Sequence, residues 1–259
     1  MRIINLCVDG LLSATDKGLF SWLAQQDADI ICLQDIRMGE YDVIDNPAMQ
    51  LEGMFCYVFD SPDGTYNGVA IYTRVQPKAI MTGFGFANGV DMDGRYVQAD
   101  FEQISIGSLL APSASSEASS LEQKIQFFDD LQAHLNKITR KRREYVFAGN
   151  WHMVHTENDL SNADEHRSST GFLAHERLWL DQVFSELGYV DAFRRVNKDN
   201  DEYSWWPSGA INEGDGWRPD FQVASEDMGN KVEYASIYKT QLFSTHLPVI
   251  VDYDYELER

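Results

Sequence analysis

Residues 2–10 read RIINLCVDG, a strand-length apolar run that passes directly into a polar turn at Asp9-Gly10. The same design recurs along the chain. Runs at 29–34 (DIICLQ), 68–73 (GVAIYT), 94–101 (GRYVQADF), 103–110 (QISIGSLL) and 144–149 (EYVFAG) predict strands, as do 217–224 (WRPDFQVA), 231–238 (KVEYASIY) and 248–253 (PVIVDY). Helical spacing of apolar residues appears between them: in LFSWLAQQ around Trp22, at Leu121, Ile125, Phe128, Leu131 and Leu135, and at Leu173, Leu180 and Phe184. Strands outnumber helices and the helices are interspersed, which predicts an α/β fold of stacked helix and sheet layers on one core. SASSEASS at 113–120 is the one low-complexity stretch and reads as a loop leading into a helix over 121–143. With no repeat and no long linker, a single domain over 1–259 is expected.

Bulk properties narrow the class. A length of 259 residues with 44% hydrophobic and 12% aromatic content belongs to a folded globular chain. Cys7, Cys32 and Cys56 sit in apolar runs without paired spacing, so buried thiols in a reducing compartment are expected. The start, MRIINLCVDG, has no signal-peptide core, and no segment has the roughly 18 apolar residues of a membrane span. A cytoplasmic protein is expected. Forty-one acidic against twenty-one basic residues give a net charge of −20, which repels nucleic acid at long range. Weak or no binding to free nucleic acid follows, although a local basic groove is compatible with such a chain.

The strand ends carry the candidate chemistry, as strand ends do in α/β proteins. They are Cys7-Val8-Asp9-Gly10, Leu33-Gln34-Asp35, Leu110-Ala111-Pro112, Gly149-Asn150-Trp151-His152, Gly216-Trp217-Arg218-Pro219-Asp220 and Ser244-Thr245-His246. In order and spacing these loops resemble the endonuclease/exonuclease/phosphatase superfamily, in particular its exonuclease III and AP-endonuclease branch. HTENDLSN at 155–162, GFLAHERLWLDQVFSELGYVDAFR at 171–194 and YSWWPS at 203–208 extend the likeness over essentially the whole chain. The resemblance implies a four-layer α/β sandwich, with two packed mixed sheets flanked by helices and the site at one end. In active members it implies a divalent cation and hydrolysis of a phosphodiester by an activated water.

Several positions depart from the superfamily pattern. Cys7 and Asp9 stand where the two Asn of N-x-N-G belong, and Asp35 replaces the metal-binding Glu of L-Q-E. Leu110 replaces a Tyr, Asn150 and His152 replace the Asp and Asn of G-D-F-N, and Thr245 replaces the Asp before the histidine. Asp220 and His246 are unchanged. Asn150 cannot take a proton from water, a loss worth about 10²–10⁴ in rate. With Thr245 beside it, His246 is expected to lack the carboxylate that would fix its tautomer and support its charge. The departures predict a pseudo-nuclease with no catalytic residues and no cofactor. Asp35 is the one ligand expected if Mg²⁺ binds. His152 and His155, three residues apart, have no third ligand in the sequence and read as a surface or core pair.

Among degenerate members the chain resembles the catabolite repression control (Crc) group. The likeness lies in MRII at the start, LQD, GRYVQADF, the basic run TRKRRE, SWWP and FSTHLPVIVDYDYEL at the end. That resemblance implies a post-transcriptional regulator acting with the RNA chaperone Hfq on bound messages, and a homodimer is compatible with it. Arg140, Lys141, Arg142 and Arg143 are then the expected contact patch, although a solvated, dipole-offsetting helix end is the simpler explanation of the run. The other function class is a divergent metal-dependent phosphodiesterase that uses Asp9, Asp35 and His152 in a rebuilt site.

Overall fold

The computed structural model describes residues 1–114 and 118–258, so part of the low-complexity stretch at 113–120 lies outside the described residues. Among the described residues, twelve strands form two six-stranded mixed sheets. The first sheet contains β1 (Arg2–Cys7), β2 (Ile30–Gln34), β3 (Phe55–Phe59), β4 (Val69–Thr73), β11 (Val232–Ile237) and β12 (Val249–Tyr253), in the order β11-β12-β1-β2-β4-β3. The second contains β5 (Ala79–Thr82), β6 (Tyr96–Asp100), β7 (Ile104–Leu110), β8 (Glu144–Asn150), β9 (Tyr189–Asp191) and β10 (Asp220–Ser225), in the order β5-β6-β7-β8-β10-β9. Each sheet has a parallel pair near its middle, β1 with β2 and β7 with β8.

Period-two alternation builds the layers. Ile3, Ile30, Cys32 and Ile71 face Val97, Ile106, Val146 and Ala148 of the other sheet in one buried core. Their neighbours Ile4, Leu6, Ile31 and Leu33 point the other way. They pack on α1 (Leu11–Asp16) and α2 (Leu19–Leu23) through Leu11, Phe20 and Trp22. On the far side, Tyr145 and Phe147 pack on Phe127, Leu131 and Leu135 of the 21-residue helix α4 (Ala118–Ile138). Trp179 and Leu180 of α5 (Ala174–Ser185) complete that layer. Shorter helices are α3 (Glu40–Ile44), α6 (Ala192–Val196) and α7 (Glu226–Gly229). The stacked layers predicted from the strand and helix pattern, and the four-layer sandwich that the superfamily resemblance implies, are therefore the observed fold.

Buried polar bonds tie the two sheets in register. Gln34 Nε2 donates to Ser108 Oγ at 2.9 Å, and Ser108 Oγ donates to the Leu33 carbonyl at 3.0 Å. Gln222 Nε2 donates to Asn5 Oδ1 at 3.0 Å and to the Ile3 carbonyl at 3.1 Å. A buried amide left unpaired costs several kilocalories per mole, so these bonds penalise any slip of one sheet over the other. α4 ends at Ile138, short of the expected 143, and Arg140–Arg143 form the turn into β8.

Candidate active site

Strands β1, β2, β7 and β8 finish at the same end of the sandwich, and β10 begins there, with Asp220 opposite Asn150 in the ladder. The loops that follow turn sharply. Asp9, Asp35, Arg37 and His152 all adopt positive φ, between 50° and 56°. Non-glycine residues enter this region at a cost, and such residues cluster where side chains are aimed for function. The loops enclose a cleft of about 1190 Å³, and Cys7, Asp9, Asp35, Asn150, Thr245 and His246 all line it.

His246 is supported by a carboxylate, contrary to the sequence expectation. Its Nδ1 lies 2.8 Å from Asp220 Oδ2, and Ser204 Oγ donates to the same oxygen at 2.6 Å. Asp220 comes from β10, 26 residues away, so Thr245 next door is irrelevant to this support. Burial opposes a charge on His246, but the Asp220 carboxylate outweighs it and holds the imidazole above its ordinary range. The pairing leaves Nε2 for other partners, and the ring clusters with the Cys7 thiol and the Asp9 carboxylate within 4.8 Å. Burial also pushes the Cys7 thiol up, so Cys7 is protonated at neutral pH.

Thr245 itself hydrogen-bonds to a carboxylate, that of Asp9 in the loop after β1. Asp9 Oδ2 accepts from the Thr245 backbone N–H at 3.0 Å and from the Thr245 hydroxyl. Its other oxygen, Oδ1, makes only long contacts, 4.0 Å to Cys7 Sγ and 3.9 Å to Arg37. Thr245 thus donates twice to Asp9 across the gap between two loops.

Asp35 is held by a cation. Arg37 reaches it with Nη2 at 2.5 Å and Nε at 3.1 Å, the two-pronged geometry of a strong guanidinium–carboxylate pair. Asn150 and His152 satisfy one another. The His152 N–H donates to Asn150 Oδ1 at 2.9 Å, and Asn150 Nδ2 donates to His152 Nε2 at 3.2 Å. His152 Nδ1 donates to the Ala111 carbonyl at 2.6 Å, which fixes a neutral tautomer. Burial pushes its pKa down to about 3. Both ring nitrogens are engaged, so the expected use of His152 in a rebuilt site with Asp9 and Asp35 does not hold. His155 points elsewhere and pairs with Asp181 at 2.7 Å. Leu110 is buried in the inter-sheet core with its edge on the cleft floor.

The wall of the cleft rests on buried ion pairs. Lys124 donates to Glu176 at 2.6 Å and to the His152 carbonyl at 2.7 Å. Arg218, fully buried, pairs with Asp159 at 2.8 Å and Asp191 at 2.5 Å, and fixes the loop that carries Trp217 and Pro219 to Asp220. Sequence reading did not single out Arg37, Arg95 or Lys124 as site residues. Arg37 lies two residues past Asp35, a spacing that could have flagged it. Arg95 and Lys124 come to the cleft only through the tertiary fold. Arg143 is not a free contact: it donates to the carbonyls of Phe101 and Ile104 at 2.9 and 3.0 Å. Arg140, Lys141 and Arg142 are exposed and form no ion pair among the described residues.

At the positions where the superfamily resemblance implies a divalent cation, most oxygens are engaged by protein groups, while Asp220 Oδ1 has no partner among the described residues and Asp9 Oδ1 only long contacts. Mg²⁺ takes hard oxygen ligands in near-octahedral array. Here both Asp35 oxygens are on Arg37, Asn150 Oδ1 is on His152, and Asp220 Oδ2 is on His246 and Ser204.

A buried Asp–His pair thus lies in a cleft at the strand ends of a four-layer sandwich. The sequence profile of the Endonuclease/Exonuclease/phosphatase family matches residues 5–229, and the chain belongs to that family. It is 30% identical over 253 residues to an exodeoxyribonuclease of Bacillus subtilis (strain 168), covering 96% of this chain and 98% of that protein. It is 27% identical to a DNA-(apurinic or apyrimidinic site) endonuclease of Dictyostelium discoideum, covering 98% of this chain and 71% of the relative. Among solved structures, an AP endonuclease from Archaeoglobus fulgidus superposes with a TM-score of 0.85 at 21% identity, covering 98% and 100% of the two chains. These findings overturn the expectation that the chain is no enzyme. The relatives bear the names of nucleases, and the departures at single positions do not show that catalysis is lost. The likeness found is to the exodeoxyribonuclease and AP-endonuclease group at large.

Proposed function

We propose that the chain is a slow phosphoesterase of the exonuclease III and AP-endonuclease type, acting on nucleic-acid ends or abasic sites. The observation that carries this reading is the buried Asp220–His246 pair, at 2.8 Å, on a cleft large enough for a nucleotide. Asp220 fixes the imidazole, and the Nε2–H of a charged His246 donates to a phosphoryl oxygen as negative charge grows there. The cleft is close to charge-balanced on a chain of net −20, since Arg37 and Arg95 line it with Asp9 and Asp35 and Lys124 is paired with Glu176. Trp205, whose ring lies 5.9 Å from that of His246, offers a face on which a base or sugar stacks. Asn150 supplies no general base, so the rate should fall about 10²–10⁴ below that of an enzyme with a carboxylate there. The test is a gel assay on duplexes with an abasic site or a 3′ phosphate, with Mg²⁺, Mn²⁺ or chelator. Product from the parent protein is expected on at least one substrate; none on any substrate would refute the proposal.

A second reading rests on the basic run. Arg140, Lys141 and Arg142 sit at the start of β8, and the cleft sits at its other end, about 20 Å away for a seven-residue strand. An exposed cation cluster that far from the cleft, on an otherwise acidic chain, suits docking on an RNA already held by a basic partner. This is the Crc-like role of a translational regulator beside the Hfq–RNA assembly. Binding to Hfq with RNA together, and not to either alone, would support it.

A further inference from the structure

We infer that Cys7, Asp9 and His246 form a binding site for a borderline-soft divalent cation of the Zn²⁺ kind, in place of a hard-oxygen Mg²⁺ site. Ligand atoms of the three side chains lie within 4.8 Å of one another. In a tetrahedral site with bonds of 2.0–2.3 Å such atoms stand about 3.3–3.8 Å apart, so closure by about 1 Å completes the geometry. The donor set is one thiolate, one carboxylate and one imidazole, which favours Zn²⁺ or Co²⁺ over Mg²⁺.

Two independent features point the same way. The first is an outer shell already in place. His246 gives its Nδ1 to Asp220, itself held by Ser204, so that Nε2 remains for a metal; this is the carboxylate–histidine–zinc arrangement. Asp9 is likewise clamped through Oδ2 by Thr245, which leaves Oδ1 toward Cys7. The second is charge. A thiolate, a carboxylate and a neutral imidazole cancel a 2+ ion, as a buried position requires. Arg37 can stay on Asp35 throughout, since Asp35 is not in the set. The cleft side of the ion remains open for water or a phosphate oxygen. An ion on Nε2 displaces the proton with which His246 would meet substrate, so Zn²⁺ should inhibit turnover; this one consequence rests on the proposed phosphoesterase reading.

Titration of the whole protein with Co²⁺, followed by absorption, tests the site without reference to activity. Expected are one equivalent bound, a thiolate-to-cobalt charge-transfer band, displacement by Zn²⁺ and no displacement by excess Mg²⁺. Cys7→Ser should remove the band, while Cys56→Ser should leave it. Asp220→Asn should weaken Co²⁺ affinity about 10–100-fold, the usual cost of losing an outer-shell partner. Absence of the band in the parent protein, or its persistence in Cys7→Ser, would overturn the inference. Because the parent spectrum alone decides the first outcome, a variant that fails to fold does not rescue the idea. A parent that binds Co²⁺ as described but shows no hydrolysis would refute the function and leave the site standing.

Discussion

Asn150→Asp restores a carboxylate to the floor of the cleft, and the structure says what it would do there. Asn150 is fully buried, and its Nδ2 is the donor to His152 Nε2 at 3.2 Å. An aspartate oxygen in that place faces a lone pair. The parent holds His152 neutral down to about pH 3, because burial excludes the charge, whereas an unfolded histidine protonates near 6.5. In the parent, therefore, stability from His152 is complete above about pH 6.5 and drains away as pH falls toward 3. In the variant the carboxylate raises the folded-state pKa of His152 and the sign reverses. The pair is favourable when His152 is charged and costly at high pH, where two acceptors meet. Leaving a buried acceptor unpaired costs about 1–3 kcal/mol. For a chain of this size that lowers the melting temperature at pH 8 by roughly 2–12 °C, since each kcal/mol is worth about 2–4 °C. At pH 5 the deficit should shrink or invert. Thermal melts of parent and variant at the two pH values, with an NMR titration of the His152 ring, check this. Equal deficits at pH 5 and pH 8 would refute the bonding pattern assigned to Asn150, His152 and Ala111. The same pattern predicts a modest gain in rate from this substitution, because His152 takes hold of the new carboxylate.

Arg218→Met should destabilise the fold by about 3–5 kcal/mol in denaturant titration, because it strands the buried carboxylates of Asp159 and Asp191 without their shared cation. Burial pushes the Asp159 carboxyl up, and Arg218 and Arg194 more than reverse this, to about 2. Asp159 should accordingly contribute roughly 2 kcal/mol of stability above pH 4, lost as pH falls through 2 and measurable in acid melts. Charge reversal at Arg140 and Arg142 should shift the melting temperature by at most a few degrees, since both are exposed in the turn after α4 and even a charge on a helix end contributes only about 0.3–1 kcal/mol. If the Hfq–RNA role holds, it should weaken that three-component assembly in gel titrations, with the difference from the parent shrinking as added salt screens the charges.

Strand interiors were legible in the sequence because both central strand pairs are buried on two faces and read as continuous apolar runs. The strands that escaped, β3, β5 and β9, are all sheet edges. Ala79–Thr82 is largely exposed and Tyr189–Asp191 is three residues long, so neither leaves a hydrophobic pattern. Pro219 has no N–H to give a ladder, and β10 begins at Asp220, after the 217 start that the apolar run predicts. The site loops were found from their polar residues at strand ends, but their chemistry was not. Asp220 supports His246 from 26 residues away and Thr245 reaches Asp9 from 236. Motif spacing sees neighbours along the chain, and these partners meet only across the cleft. Reading Thr245 as the loss of His246's carboxylate therefore missed that Asp220 supplies it across the cleft.

The central claim, that His246 acts on a nucleic-acid phosphoester in this cleft, is tested most directly by single-turnover hydrolysis with protein in excess over a duplex bearing an abasic site or 3′ phosphate. The rate constant is compared between the parent, Asp220→Asn and His246→Gln, with folding of each checked by circular dichroism. The account predicts a measurable parent rate, a loss of about 10²–10⁴ in His246→Gln and an intermediate loss in Asp220→Asn. A parent rate no greater than the buffer blank, or a His246→Gln rate equal to the parent's, would contradict it.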